Sequence, residues 1–169
     1  FMEGPVRVVG NIPYHITGPI LFAVVGMRRM VSDAFFTMQK EVAERIVSPY
    51  GRKSYGSLSV VFQLLGHPKI HFSLHPQIFT PPPKVESAFL GVPLTDEGRS
   101  RDDGMMPFIR RCFETKRKYL RHTMVKYYGR ERTDDVYGAF GFSPAVRAEE
   151  LSPPVFADLF SWFRERGLT

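Results

Sequence analysis

The stretch Val6-Arg7-Val8-Val9-Gly10-Asn11-Ile12-Pro13-Tyr14 joins an apolar run to a tetrapeptide of quite different character. The apolar run is short and β-branched, which predicts a buried strand. Beyond the tetrapeptide, Thr17 is a candidate N-cap and Pro19 stands in a first helical turn, so a helix is expected to run to about Met30. An amide, a proline and an aromatic ring are thus placed between a strand and a helix.

The next segments repeat the alternation of strand and helix. Residues 34–38 predict a second strand and residues 40–47 a second helix. Strand, helix, strand and helix at this spacing favour an α/β unit with a parallel sheet. Residues 69–74 and 86–94 predict two further strands, which we expect to pair as an antiparallel hairpin joined through the rigid Pro81-Pro82-Pro83 segment.

The second half of the chain has a mainly helical pattern. Residues 58–65 are apolar and fit either a helix or a strand, whereas the polar stretch 96–104 is the best candidate for a linker. Helices are predicted beyond it at residues 105–114, 116–128, 133–140 and 153–166. We therefore expect residues 1–95 to belong to an α/β domain and residues 105–169 to form a small all-helical domain.

The positive charge of the chain is unevenly distributed. The 169 residues carry a formal net charge of +6, and nine Lys or Arg against two Glu lie between residues 110 and 132. This segment therefore carries a local charge of +7, and the rest of the chain is close to −1. Such a concentration favours a surface that binds a polyanion, although a solvated helix face has the same pattern.

Composition excludes several other classes of protein. No apolar run approaches the roughly 18 residues of a membrane span. The single cysteine, Cys112, excludes an internal disulfide and a cysteine-rich zinc site, and the histidines show no ligand spacing, so no metal site is expected. The chain enters a strand at once and its first residues lack the features of a signal peptide, so we expect it to be a piece of a longer protein.

The tetrapeptide has the groups needed to hold an exocyclic amine on a flat base. An adenine amine is a poor nucleophile because its lone pair is delocalised into the ring, so an enzyme that methylates it must hold it with hydrogen-bond acceptors. The Asn11 side-chain oxygen and the backbone carbonyl of Ile12 or Pro13 are candidate acceptors. Tyr14 is a candidate for stacking on the base. Because Asn-x-Pro-Tyr is also a good turn sequence, these four residues alone leave both interpretations open.

A second aromatic residue precedes the proline segment, in Phe79-Thr80-Pro81-Pro82-Pro83-Lys84-Val85. Phe79 is a candidate to cover the opposite face of the same base, in a loop that the prolines hold rigid. The alternatives are a polyproline ligand for another domain and a core phenylalanine beside an ordinary loop.

Several motifs resemble, in this order along the chain, those of the ribosomal RNA adenine dimethyltransferases. The first is Asn11 to Tyr14 followed by His15-Ile16-Thr17. The others are Gln39-Lys40-Glu41-Val42, Tyr55-Gly56-x-Leu58-Ser59, Phe79 to Val85 with Glu86-Ser87-Ala88, Phe113-x-x-Lys116-Arg117-Lys118-x-Leu120-Arg121, and Pro144-Ala145-Val146-Arg147-Ala148-Glu149. Together they cover almost the whole chain.

The resemblance implies both a fold and a reaction. The fold is the C-terminal half of a Rossmann-like, S-adenosylmethionine-dependent methyltransferase domain, followed by a small helical RNA-binding domain. The reaction is N6,N6-dimethylation of two adjacent adenosines near the 3′ end of 16S rRNA. The implied partner is small-subunit rRNA in a cytoplasmic pre-30S particle, and the implied protein is a monomer without membrane attachment.

Within the family, the run from Pro81 to Val85 and the Arg147-Ala148-Glu149 signature resemble the small-subunit enzymes. The macrolide-resistance type, which modifies one adenine of 23S rRNA, remains an alternative. A non-catalytic assembly factor that docks on rRNA is a second alternative, and an amino-methyltransferase acting on DNA adenine is a third.

The family's roles carry over to individual residues of this chain. The catalytic roles fall on Asn11, which also binds the cofactor, on Pro13, which positions the amine through the backbone, and on Tyr14, which stacks on the base. Phe79 is assigned to substrate binding, as the second stacking ring. The resemblance places RNA binding on the basic residues Lys116, Arg117, Lys118, Arg121 and Arg147. For Arg147, pairing with Glu149 or Glu150 is an equally good interpretation.

The chain also departs from the family pattern. The glycine-rich cofactor loop and the acidic ribose-binding residue, which precede Asn-x-Pro-Tyr in the family, are absent, so we expect this chain alone to be inactive. His122 stands where the pattern has Asn, which puts a local RNA or packing contact in doubt. A helix break is expected near Thr115, because Lys116 would otherwise fall inside the apolar stripe of a continuous helix.

Overall fold

The computed structural model describes residues 4–115 and 118–168. Within these residues the chain forms two compact units, which we call the first unit (residues 4–48 and 65–101) and the second unit (residues 49–64 and the described residues from 102 onward). The boundary between residues 101 and 102 lies inside the predicted linker. The domain limits drawn from the sequence, 1–95 and 105–169, stay a prediction.

The first unit contains a four-stranded mixed sheet. Its strands are β1 (Val6–Asn11), β2 (Val31–Gln39), β3 (Lys69–Leu74) and β4 (Ser87–Pro93), in the spatial order β1-β2-β4-β3. The strands β1 and β2 are parallel, whereas β4 is antiparallel to both β2 and β3. The predicted parallel pair and the predicted antiparallel hairpin are therefore confirmed, and the sheet is mixed because β4 inserts between β2 and β3.

Eight α-helices lie in the described part of the chain. They are α1 (Thr17–Gly26), α2 (Lys40–Val47), α3 (Ser57–Leu65), α4 (Asp96–Ser100), α5 (Met105–Cys112), α6 (Leu120–Tyr128), α7 (Arg130–Phe140) and α8 (Pro153–Arg164). The apolar stretch 58–65, which the sequence left open between helix and strand, is helical. None of these helices combines the length and the apolar character needed to cross a bilayer.

The register of β1 on β2 is fixed at its beginning by an ion pair. The Arg7 guanidinium donates to both carboxylate oxygens of Asp33, at 2.7 and 2.8 Å, and these two residues are partners in the ladder. The hydrogen bonds to Arg7 hold the pKa of the Asp33 carboxyl below its ordinary value. A slip of one residue would turn every side chain of β1 to the opposite face, so this pair helps to define where Asn11 lies.

Two predictions about α1 were wrong. Thr17 is not the N-cap, because it already lies in the helix and its hydroxyl donates back to the carbonyls of Pro13 and Tyr14. The helix also ends at Gly26 rather than near Met30. The reason is Arg28, a buried side chain whose guanidinium donates to the carbonyls of Val25 and Arg101 and which therefore turns the chain inward.

The second unit is built around an aromatic core. Its buried rings, all at most 9% exposed, include those of Phe108, Tyr128, Phe156, Phe160 and Phe163. The rings of Tyr128 and Phe163 stack with centroids 4.1 Å apart. The Tyr55 hydroxyl donates to the Leu151 carbonyl at 3.0 Å, which ties segment 49–64 to the C-terminal helices.

The predicted helix break near Thr115 is confirmed. The helix α5 ends at Cys112 and α6 begins at Leu120, four residues later than predicted. Lys116 and Arg117 lie outside the described residues. Arg110 and Arg121 consequently belong to different helices. The thiol of Cys112 is buried, and this burial raises its pKa, so it is a packing residue rather than a reactive one.

The polar stretch predicted as a linker is partly helical and packed. The Thr95 hydroxyl accepts the Gly98 N–H at 3.0 Å and caps α4. The Thr95 N–H donates to the Leu65 carbonyl, also at 3.0 Å. Gly98 is buried, and a Cβ at this position would meet the Leu65 carbonyl oxygen at 2.0 Å. Composition alone predicted only a linker here, because this packing depends on residues far away in the sequence.

We expect Gly98→Ala to destabilise the first unit. The added methyl group has no space against the Leu65 carbonyl, and overpacking of this kind lowers the free energy of unfolding by about 1–3 kcal/mol. Gly26→Ala at the exposed end of α1 is the matched control, since nothing beyond its chain neighbours lies within 4 Å of the new Cβ. Urea unfolding measures both variants, and a wild-type midpoint for Gly98→Ala would contradict the packing of α4.

Candidate nucleobase-binding cleft

Asn11 lies at the carboxyl end of β1, where the chain leaves the sheet. Asn11 is the partner of Thr37 in the ladder, and the next residue, Ile12, donates its N–H to the Thr37 carbonyl at 2.8 Å. Pro13 is extended, and a 3-10 turn then covers Tyr14–Ile16. Ligands of α/β sheets bind outside the carboxyl ends of the parallel strands, which is where this tetrapeptide is held.

The two backbone carbonyls proposed as acceptors differ in their hydrogen bonding. The Pro13 carbonyl accepts the Ile16 N–H at 3.1 Å and the Thr17 hydroxyl at 3.3 Å. Within residues 4–115 and 118–168, no group donates to the Ile12 carbonyl. Of the two alternatives left open by the sequence, the Ile12 carbonyl is therefore the one available to a ligand, while Pro13 shapes the turn.

The Tyr14 ring is anchored at its far end. Its hydroxyl forms a 2.5 Å hydrogen bond with the hydroxyl of Ser87, a fully buried residue at the start of β4. Ser87 is in reach because it is the ladder partner of Gln39, the last residue of β2. The ring itself stays half-buried. Anchoring the hydroxyl limits the rotamers of Tyr14, so its ring offers a preorganised face.

Phe79 follows a short turn in the loop between β3 and β4. The turn covers Pro76–Ile78, and the Phe79 N–H donates to the Pro76 carbonyl at 3.1 Å. The Phe79 ring is half-buried, and the Thr80–Pro81 peptide bond that follows is cis. This local structure places the ring at the beginning of the proline segment.

The structure brings these residues together around one open cleft of about 320 Å³. The cleft is lined by Asn11, Ile12, Pro13, Tyr14, Phe79, Thr80, Pro81 and Pro83. The four residues that the sequence assigned to chemistry or stacking in the first unit are thus all neighbours. The lining contains no charged side chain, so the cleft suits a neutral ring with a polar edge better than a phosphate group.

Two motifs that are far apart in the sequence are tied together beside this cleft. Lys40, at the start of α2, pairs with the Glu86 carboxylate at 2.6 Å, and its backbone N–H donates to the Glu86 carbonyl at 3.0 Å. The hydrogen bond to Lys40 lowers the pKa of the Glu86 carboxyl. The pair holds the residue before Ser87 in place. The sequence identified Lys40 and Glu86 only as parts of two family motifs, and it predicted no contact between them.

The basic residues of the second unit occupy different environments. Lys118 is exposed. Arg121 on α6 pairs with Asp134 on α7 and lies over the Tyr137 ring, 5.5 Å from its centroid. Arg147 is exposed and lies 3.9 Å from the Glu149 carboxylate, the long limit for an ion pair. The predicted RNA contacts of these residues stay predictions, as do those of Lys116 and Arg117.

No metal site is formed by the part of the chain that the structure describes. Among these residues, no group of three or more His, Cys, Asp or Glu side chains is arranged to hold a metal ion.

Comparison with known sequences identifies the family. Residues 2–165 match the model of the family described as ribosomal RNA adenine dimethylase. The ribosomal RNA small subunit methyltransferase A of Salinibacter ruber is 40% identical over 159 residues, an alignment that covers 92% of this chain and 52% of that protein. This chain therefore spans about half the length of that curated relative.

Comparison with solved structures shows the same fold. A dimethyladenosine transferase from Plasmodium falciparum superimposes with a TM-score of 0.79 at 22% identity, covering 99% of this chain and 70% of that one. The 23S rRNA methyltransferase ErmE superimposes with a TM-score of 0.67 at 22% identity, covering 95% and 66% of the two chains. The predicted α/β methyltransferase fold is confirmed. With the family model matching nearly its entire length, this chain belongs to the ribosomal RNA adenine dimethylase family.

Proposed function

We propose that this protein dimethylates the N6 amines of two adjacent adenosines near the 3′ end of small-subunit rRNA, with S-adenosylmethionine as the methyl donor. The observation that carries the proposal is the uncharged cleft in which Asn11, the Ile12 carbonyl, Tyr14 and Phe79 meet. Its hydrogen-bond acceptors can accept the N–H groups of the adenine amine, and its aromatic rings can stack on the base.

The two acceptors activate the amine by orienting it. The exposed Asn11 side chain accepts one N–H through its amide oxygen, and the Ile12 carbonyl accepts the other. Held in this way, the nitrogen directs its lone pair away from the ring plane, where a methyl group can be received. Each transfer adds a methyl group to the nitrogen and releases one N–H proton to solvent, so a monomethylated amine retains one N–H. The second transfer therefore relies on one of these acceptors and on space for the first methyl.

The aromatic residues hold the base flat while it reacts. Tyr14 and Phe79 line the same cleft, and stacking of a base on an aromatic ring contributes about 1–3 kcal/mol. The ring of Tyr14 is fixed by Ser87 before the base arrives. Much of the catalysis is then positioning, since the reacting groups are brought together in a favourable orientation.

The cleft is also compatible with the methyl donor. S-adenosylmethionine, when bound, supplies a methyl group on a positively charged sulfonium. The cleft lining has no cationic side chain to repel that charge, and Asn11 at its edge offers a neutral amide toward it. The glycine-rich cofactor loop of the family pattern does not occur in this sequence, and Asn11 is the contact to the donor that we assign to this chain.

The second unit is assigned the task of gripping the RNA backbone. The basic segment 110–132 provides the positive charge, and phosphate contacts of this kind position a protein without reading sequence. We place the catalytic part in residues 1–95, the linker in 96–104 and RNA binding in 105–169. The proposed setting is a pre-30S particle in the cytoplasm, bound by a monomer.

The choice of small-subunit rRNA is favoured over 23S rRNA by the sequence relatives. The protein of Salinibacter ruber carries small-subunit activity in its name and is 40% identical, whereas ErmE is 22% identical and supports the fold only. Mass spectrometry of rRNA from cells with and without the intact gene tests the proposal. Dimethyladenosine must disappear from 16S rRNA in the deletion strain; its unchanged presence would refute the proposal.

In the intact protein, Asn11→Ala is expected to lower the methylation rate by about 100- to 1000-fold, the usual effect of removing one preorganised polar group from a reaction site. RNA affinity should stay at the wild-type value, because the phosphate contacts are elsewhere. Val9→Ala, on an exposed position of the same strand, is the matched control. Single-turnover methylation and filter binding measure the two effects; equal losses in both would remove Asn11 from the reaction.

The Tyr14–Ser87 hydrogen bond allows anchoring and stacking to be separated. Tyr14→Phe and Ser87→Ala each remove the hydrogen bond and keep the ring, so both should reduce kcat/KM by the same few-fold factor, about 1 kcal/mol. Tyr14→Ala also removes the ring and should cost about 1–3 kcal/mol more. The double variant Tyr14→Phe with Ser87→Ala should be no worse than either single variant, because both changes remove the same hydrogen bond. A loss relative to wild type equal to the sum of the two single losses would show that the hydroxyls act independently and would contradict the anchoring of the ring.

Replacing Lys116, Arg117 and Lys118 together by Gln should weaken RNA binding and flatten its salt dependence. Each lost phosphate contact reduces the slope of log K against log salt by about 0.7–0.9. Lys69→Gln, an exposed lysine at the start of β3, is the control and should leave the slope unchanged. Binding titrations between about 50 and 200 mM salt measure the slope, because the affinity of a phosphate-binding protein changes strongly over this range. An unaltered slope in the triple variant would place these residues outside the interface.

A further inference from the structure

An exposed pair of aromatic rings stands at the start of α6. Tyr119 is the N-cap residue of this helix, and His122 lies one turn further on. Their rings are nearly parallel, with an interplanar angle of 12° and centroids 6.3 Å apart. Tyr119 is 43% exposed and His122 is also exposed, so neither ring serves the core of the second unit.

The backbone under these rings is held by a second segment of the chain. The N–H of Leu120 donates to the Val146 carbonyl at 2.9 Å. The next residue, Arg147, donates its own N–H to the Glu150 carboxylate at 2.7 Å and places its guanidinium 5.8 Å from the centroid of the Tyr119 ring. The two rings and one cation therefore come from two segments that are fixed to each other.

The surroundings of this group are cationic. Lys118 is exposed immediately before Tyr119, and Lys118, Tyr119 and His122 lie in segment 110–132, which has nine Lys or Arg against two Glu. The nearest acidic side chain to the Arg147 guanidinium is that of Glu149, at 3.9 Å. Exposed rings together with cations suit a partner that has both a flat π-face and a negative backbone.

Resting on the proposed function, we propose that Tyr119, His122 and Arg147 form a stacking platform for an unpaired nucleobase of the RNA substrate, separate from the base that reacts. Every nucleobase has a π-face, so stacking does not require a particular sequence, and Lys118 with Arg147 meets the adjoining phosphates. The unpaired bases of RNA loops and ends are free to stack on aromatic side chains in this way, whereas the bases of a duplex are already stacked on each other.

The platform explains a feature that the family pattern left unassigned. His122 stands where the pattern has Asn, and an amide cannot stack as an imidazole ring does. In this chain the substitution therefore adds ring surface beside Tyr119.

The test compares single-stranded and duplex RNA of the same sequence as ligands for the intact protein. Tyr119→Ala should weaken binding of the single strand by about 5- to 150-fold, the effect of one stacked base, and leave duplex binding unchanged. Tyr119→Phe keeps the ring and should bind the single strand as the wild type does, whereas His122→Asn should weaken it. Tyr50→Ala is the matched control, since Tyr50 is 56% exposed in the same unit and no described ring or cation lies against it.

Salt dependence separates stacking from charge. The slope of log K against log salt should be unchanged in Tyr119→Ala and smaller in Arg147→Gln, because only phosphate contacts release counterions. Equal weakening for single strand and duplex, or wild-type affinity in Tyr119→Ala, overturns the platform. Loss of a protein contact in the pre-30S particle with RNA binding intact would reassign the surface to a protein partner and also overturn it.

These outcomes are independent of the proposed reaction. If the wild-type protein methylates 16S rRNA and Tyr119→Ala binds RNA normally, the platform fails and the enzyme assignment stands. If single-strand binding depends on Tyr119 and no 16S methylation is found, the platform stands and the enzyme assignment fails.

Discussion

The parallel pairing of β1 with β2 is the constraint on which the cleft depends. The bidentate Arg7–Asp33 ion pair defines the register near one end of the ladder, and the hydrogen bond from Ile12 to the Thr37 carbonyl defines it at the other. Between these points successive side chains of β1 point to opposite faces of the sheet, so the register decides which of them face the core. A shift of one residue would bury the Asn11 amide and turn its neighbours outward. The chemistry of the tetrapeptide is therefore a consequence of strand register.

The position of β4 then determines which other residues can meet this tetrapeptide. Because β4 lies beside β2, its first residue, Ser87, is opposite Gln39 at the end where Asn11 also lies. Tyr14 and Lys40 are each tied to this point, one through Ser87 and the other through Glu86. Motifs separated by more than seventy residues of sequence are thus neighbours, and a change in any of these contacts would alter the cleft without touching an acceptor.

The sequence pattern correctly predicted those features of the fold that depend on residues close together in the chain. The limits of α2 and β3 were predicted to the residue, since apolar periodicity alone defines them, and the antiparallel hairpin followed from the proline segment. The end of α1 at Gly26 was missed because the buried Arg28 finds its acceptor at Arg101, far along the chain. The choice between the carbonyls of Ile12 and Pro13 is local, but the pattern did not predict the 3-10 turn whose Ile16 N–H occupies the Pro13 carbonyl.

In the proposed function, an uncharged cleft and a basic segment divide the work of RNA modification along physical lines. Phosphate contacts supply affinity that falls with salt and carries no information about the base. Neutral acceptors and aromatic rings do not attract the RNA from a distance, but in contact they distinguish a base that carries an amine from one that does not. Lysine or arginine within the cleft would attract phosphate to the position that the base must occupy, and it would repel a cationic methyl donor. For the proposed reaction, the absence of charge among the described residues that line the cleft is therefore as much a requirement as the presence of Asn11.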